Sequence, residues 1–150
     1  MNFCLLLLFA TCLTSFEYDA DQPSKPRAIK LEVISGIPTD IDGCSESFST
    51  DTASLKDEHY IAVTNFAELG FIRDHGKLLR LTKSSGGRGF EDSPKFGDIV
   101  ETIFEGQGYR LIIRTKSKQI SDELYIEIGT IEIDHGKSKE MMNVVGESGC

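Results

Sequence analysis

The residues of this 150-residue chain whose types would support chemistry are few and scattered. His59, His75 and His135 show no paired spacing of the kind that places two imidazoles on one metal ion, and neither Cys44 nor Cys150 has the close cysteine or histidine neighbours of a zinc knuckle. Cys44 with His75 or His135 is formally a nucleophile and a base, but no flanking residues prepare a thiolate. Carboxylates are abundant without forming an acid/base motif. The run Asp40-Ile41-Asp42-Gly43 resembles the start of a calcium loop, yet Asp51 stands where such a loop needs its bidentate glutamate, so it reads as a solvated turn. The run from Ser84 to Phe90 is glycine-rich but lacks the lysine and hydroxyl ending of a phosphate loop. These patterns predict no catalytic residue, no metal and no cofactor, and so a protein that is not an enzyme.

Charge narrows the partners. Twenty-four acidic residues against sixteen basic ones give a net charge of −8, which disfavours nucleic acid and anionic membranes. Arg110, Arg114, Lys116 and Lys118 alternate on one strand face, which reads as solvated. Residues 1–16 carry no charged side chain and include the apolar run Phe3 to Leu13, the length of a secretory signal and too short for a stable membrane anchor. The expected location is therefore extracellular. Loss of that signal leaves Cys44 and Cys150, which either pair with each other or leave Cys150 free or joining two molecules.

The elements that would position a site follow from periodicity. Residues 17–27 are polar and hold two prolines, a flexible arm before a single domain over residues 28–150. Ala28 to Ile34 alternates as a short strand. Leu55, His59, Ala62, Phe66 and Leu69 follow helical spacing, so a helix is predicted from about Leu55 to about Asp74, opened by Ser54 and ended at His75-Gly76. From Leu78 to Ile133 the period is two, interrupted by a Gly- and Ser-containing excursion, Ser84 to Phe96. Leu124, Ile126 and Ile128 have one parity and Ile131 and Ile133 the other, which suggests a bulge at Gly129. Residues 139–146 read as a further edge strand. The expected fold class is thus α+β: an antiparallel β-sheet of about four to five strands packed on one main α-helix.

Within this pattern the stretch Thr102 to Leu111, TIFEGQGYRL, brackets Gln107 between two glycines. With Phe66-Ala67-Glu68, Leu78-Leu79-Arg80-Leu81 and Leu124-Tyr125, it resembles the cystatin family of cysteine-peptidase inhibitors. That resemblance implies a wedge of Gly36, Ile103, Phe104, Glu105 and Gly106, with Asp134 and His135 at the second edge, facing a papain-like cysteine peptidase or another secreted protein. The sequence departs from the family in having Thr102 for glutamine and no tryptophan. Weak or absent inhibition is therefore expected, and a bent hairpin with no partner is an equal reading. Two alternatives accompany it: a non-inhibitory interaction domain, and a small carrier enclosing an apolar ligand among its Ile and Leu residues.

Overall fold

The computed structural model describes residues 28–87, 97–120 and 124–150. The expected signal and arm, and most of the excursion, lie outside the described residues. In chain order the elements are β1 (Leu31–Glu32), β2 (Ile34–Ser35), β3 (Ser45–Ser49), α1 (Thr52–Lys56), β4 (His59–Tyr60), β5 (Ala62–Asn65), β6 (Leu69–Asp74), β7 (Lys77–Gly86), β8 (Ile99–Gly106), β9 (Tyr109–Gln119), β10 (Leu124–His135) and β11 (Ser138–Gly149). Strand β3 pairs with β5, and from β5 to β11 each strand pairs antiparallel with the next. Strand β11 then returns to β3, with Val145 opposite Ser49 and Gly149 opposite Ser45. The result is a closed, up-and-down barrel of eight strands. Closure leaves no open edge among them, and an interior of this size is filled by side chains or holds one small ligand.

This overturns the α+β expectation. No helix runs from Leu55 to Asp74: α1 has five residues, capped by Asp51, whose carboxylate accepts from the Ser54 amide at 2.8 Å and the Ser54 hydroxyl at 2.9 Å. The next residues form the β5–β6 hairpin, whose turn is held by Asn65 Oδ1 accepting from the Glu68 and Leu69 amides, both at 2.7 Å. The helical spacing misled because Tyr60, Ile61, Ala62, Val63 and Thr64 are all buried. One side of this segment faces the barrel interior and the other lies under a strap, so neither the period of a helix nor that of a half-exposed strand is enforced. His75-Gly76 is likewise a two-residue hairpin turn, with φ of 48° and 76°. Residues 138–149 are not an edge strand but the strand that closes the barrel.

Two cores result. Inside are Phe48, Ile72, Leu79, Leu81, Phe104, Leu111, Ile113, Ile131 and Ile133, most with no exposed surface. Outside, Ile34, Leu55 and Tyr60 from the strap of β2, α1 and β4, together with Ile41 from the β2–β3 loop, cover Val63 and Phe71 on the outer faces of β5 and β6. Inward glycines make room for the large rings. A Cβ on Gly70 would stand 2.9 Å from the Phe104 ring, and one on Gly146 only 2.6 Å from that of Phe48, so each ring lies against a bare stretch of wall.

Strand β10 keeps one register with both neighbours through Gly129, opposite Thr115 and Val144. The expected bulge there is absent; a register shift occurs instead in β7, between Lys83 and Ser85. The change in apolar parity is an inversion of polarity between two faces that themselves stay fixed. Before Gly129, Ile126 and Ile128 face out while Tyr125 and Glu127 share the inward parity of Ile131 and Ile133.

Candidate functional site

The two ends of the barrel are built differently. At one end three two-residue turns join β6 to β7, β8 to β9 and β10 to β11. His75-Gly76 and Gln107-Gly108 (φ 53° and 82°) have both central residues left-handed, and Gly136 (φ 61°) opens the third. Such turns match the twist of antiparallel strands and let them meet tightly. Beneath them lies Asp74, 4% exposed. Its carboxylate accepts from the Tyr109 hydroxyl at 2.6 Å and the Lys30 amide at 2.6 Å and meets His75 Nδ1 at 2.8 Å, while the Tyr109 ring stacks on His135 with centroids 4.0 Å apart. Burial alone would raise the Asp74 carboxyl, but the bonds from Tyr109, His75 and the Lys30 amide together outweigh it and hold the carboxyl below its ordinary value.

The opposite end carries the short β5–β6 turn, the longer β7–β8 and β9–β10 connections, the chain crossings into β3 and out of β11, and a polar inner wall. Glu127 is the centre of that wall. It is fully buried, and its carboxylate lies 2.6 and 2.7 Å from the Ser117 hydroxyl and 2.9 Å from that of Ser148. Ser148 is the register partner of Glu46, and Glu46 accepts from the Thr64 hydroxyl at 2.7 Å. Thr102 and Thr115, 8% and 5% exposed, continue the polar surface on β8 and β9. The Lys83 ammonium donates to the Phe66 carbonyl at 3.0 Å, tying β7 to the β5–β6 turn. The Cys44–Cys150 disulfide fastens this end of the β3–β11 seam, next to the Ser45–Gly149 pair. Of the alternatives open to the two cysteines, the structure shows the intramolecular bond.

The residues expected to contact a partner are dispersed. Phe104 is wholly buried inside the barrel and presents nothing to the surface. Ile103 and Glu105 face outward on β8, and Glu105 pairs with Arg110 at 3.2 Å. Gly106, Asp134 and His135 gather at the tight-turn end. Gly36 does not join them: its amide donates to the Glu58 carbonyl, on the strap. The outward row of Arg110 and Arg114 on β9 is solvated and paired as its alternation implies. Arg114 meets Glu101 and Glu132, which hold its guanidinium above the ordinary value, and Lys139 and Arg114 hold Glu132 below. Exposed pairs of this kind contribute little stability.

Sequence reasoning missed Glu127, Ser117, Ser148, Glu46 and Thr64. A signal existed: with Ile131 and Ile133 as the inward set and no bulge at Gly129, Glu127 must point into the barrel. Among the described residues, no group of three His, Cys, Asp or Glu side chains is placed to hold a metal ion, and no helix is long and apolar enough to cross a membrane. Comparison with protein-family models, curated proteins and solved structures gives no significant match, so the site is read from its geometry.

Proposed function

We propose that the protein is a secreted binding barrel that carries one small polar or amphipathic molecule bearing hydrogen-bond donors, taken up at the long-loop end. The observation that carries this reading is Glu127, a carboxylate with no exposed surface on the inner wall. Removing such a group from water costs several kcal/mol even when it is hydrogen-bonded. A barrel that needed only stability would continue the isoleucines of Ile131 and Ile133 at that position. The neighbouring Ser117, Ser148, Glu46 and Thr64 add acceptors and hydroxyls on adjacent strands, the polar fixing points typical of a ligand site in a barrel mouth. A purely apolar cargo fits less well, because Phe48 and Phe104 already occupy the apolar half. Secretion is supported by the apolar run at the start of the chain and by the disulfide.

The test is thermal denaturation of the secreted protein with panels of small amines, polyols and amides, alongside native mass spectrometry of freshly purified material. A ligand present at a hundred times its Kd should add about 2.7 kcal/mol of stability. Glu127→Gln should keep the fold and weaken that ligand at least tenfold. If no compound stabilises the wild type, no ligand co-purifies, and Glu127→Leu is simply more stable, the buried carboxylate is a structural feature and the reading fails.

A further inference from the structure

The inversion at Gly129 has an outer consequence as well as an inner one. Ile128 is 64% exposed and Ile99 is 66% exposed, and both flank Lys116 in one cross-strand row of β8, β9 and β10. The adjoining row, nearer the long-loop end, runs Lys118, Ile126, Glu147 across β9, β10 and β11. It is positive on one side, apolar in the middle and negative on the other. Among the described residues neither Lys118 nor Glu147 has an ion-pair partner. Leu124, Ile126 and Ile128 follow one another along the outer face of β10, and an aliphatic stripe of this kind on a closed barrel, which has no edge to extend, is surface that a partner would cover.

We propose that this face is an interface with a second copy of the chain, related by a two-fold axis running along β10. Such an axis keeps positions along the strands and exchanges the two sides of β10. Ile126 and Ile128 then meet their own counterparts, and each Lys118 lies over Glu147 of the other copy, so one row supplies both halves of the charge complementarity. Ion pairing across the face offsets part of the repulsion between two chains of charge −8. The proposal is independent of the ligand in the barrel.

Sedimentation velocity on the secreted protein at physiological ionic strength, across its accessible concentration range, tests it. A reversible dimer is expected. Ile128→Asp should weaken it at least tenfold, with unchanged circular dichroism showing the fold intact. Lys118→Glu and Glu147→Lys should each weaken it about tenfold by placing like charges together, and the double variant should recover most of the loss. A wild type that stays monomeric overturns the proposal, and binding of that monomer to lipid vesicles or to another protein would hand the face to that partner instead. A dimer whose double variant is no tighter than the singles overturns the two-fold geometry.

Discussion

The tight-turn end and the long-loop end of this barrel solve the same problem by different means. At the first, the β6–β7, β8–β9 and β10–β11 reversals take two residues each while α1 and β4 bridge β3 to β5, the interior is aliphatic and aromatic, and a buried carboxylate, Asp74, sits under a lid of Tyr109, His75 and β1. At the second, the inner wall is polar, the connections are longer, and the seam between first and last barrel strands rests on five residue pairs and a disulfide. Short local reversals hold an end through the chain itself. The end with fewer of them carries the covalent staple, and its inner wall is polar where that of the other end is aliphatic.

Cutting the disulfide should have the largest effect on the long-loop end. The disulfide spans 106 residues, and in the chain-entropy model its loss removes about 4.7 kcal/mol. Cys44→Ser with Cys150→Ser should lower the denaturation midpoint accordingly. Amide exchange should accelerate first in β3 and the last residues of β11, while β6–β7 and β8–β9 near their turns stay protected. Uniform acceleration at both ends would show that the disulfide supports the whole barrel rather than its seam.

At the tight-turn end the next largest effect belongs to Asp74. Its carboxyl is depressed in the folded protein, so its contribution is fully present above the unfolded value of 3.8 and is lost as pH falls through the lower folded value. Asp74→Asn should cost about 2 kcal/mol at neutral pH, typical for losing hydrogen bonds to a charged acceptor. The gap between variant and wild type should close as pH falls through that acid window. Denaturant titrations at several pH values would show it, and a gap independent of pH would mean that packing, not charge, is what the substitution removes.

The smallest effect concerns the turns. Gly108 has φ 82°, and a Cβ there would meet only the His135 ring, at 3.5 Å, an ordinary contact. Gly108→Ala should therefore cost only the left-handed strain, about 1 kcal/mol, visible as a small fall in thermal midpoint with the Asp74 cluster unchanged. A loss several times larger would mean that the β8–β9 turn also positions the Tyr109–His135 stack.

Much of the strand pattern was legible. β7 to β10 announce themselves by alternation, and the glycine pair around Gln107 answers to a tight hairpin whose tip has a left-handed residue at each central position. The β5–β6 hairpin was illegible because residues 60–64 are buried on both sides, which erases the period that separates strand from helix. The inner carboxylate was hidden differently. Ile126-Glu127-Ile128 reads as apolar-in, polar-out, and only its fixed register with Ile131 and Ile133 reverses that reading.

From the sequence come the extended segments and turns of β7 to β10, the charge of the surface and the two cysteines that could meet. Turn residues and side-chain alternation act within a few positions, so they survive without knowledge of the rest. Tertiary structure decided that the strands close on themselves, that β11 completes the wall beside β3, and that Glu127 faces inward while Ile128 faces out. Those outcomes depend on pairings between residues about a hundred positions apart, where inside and outside are defined by closure of the whole sheet and not by any local pattern.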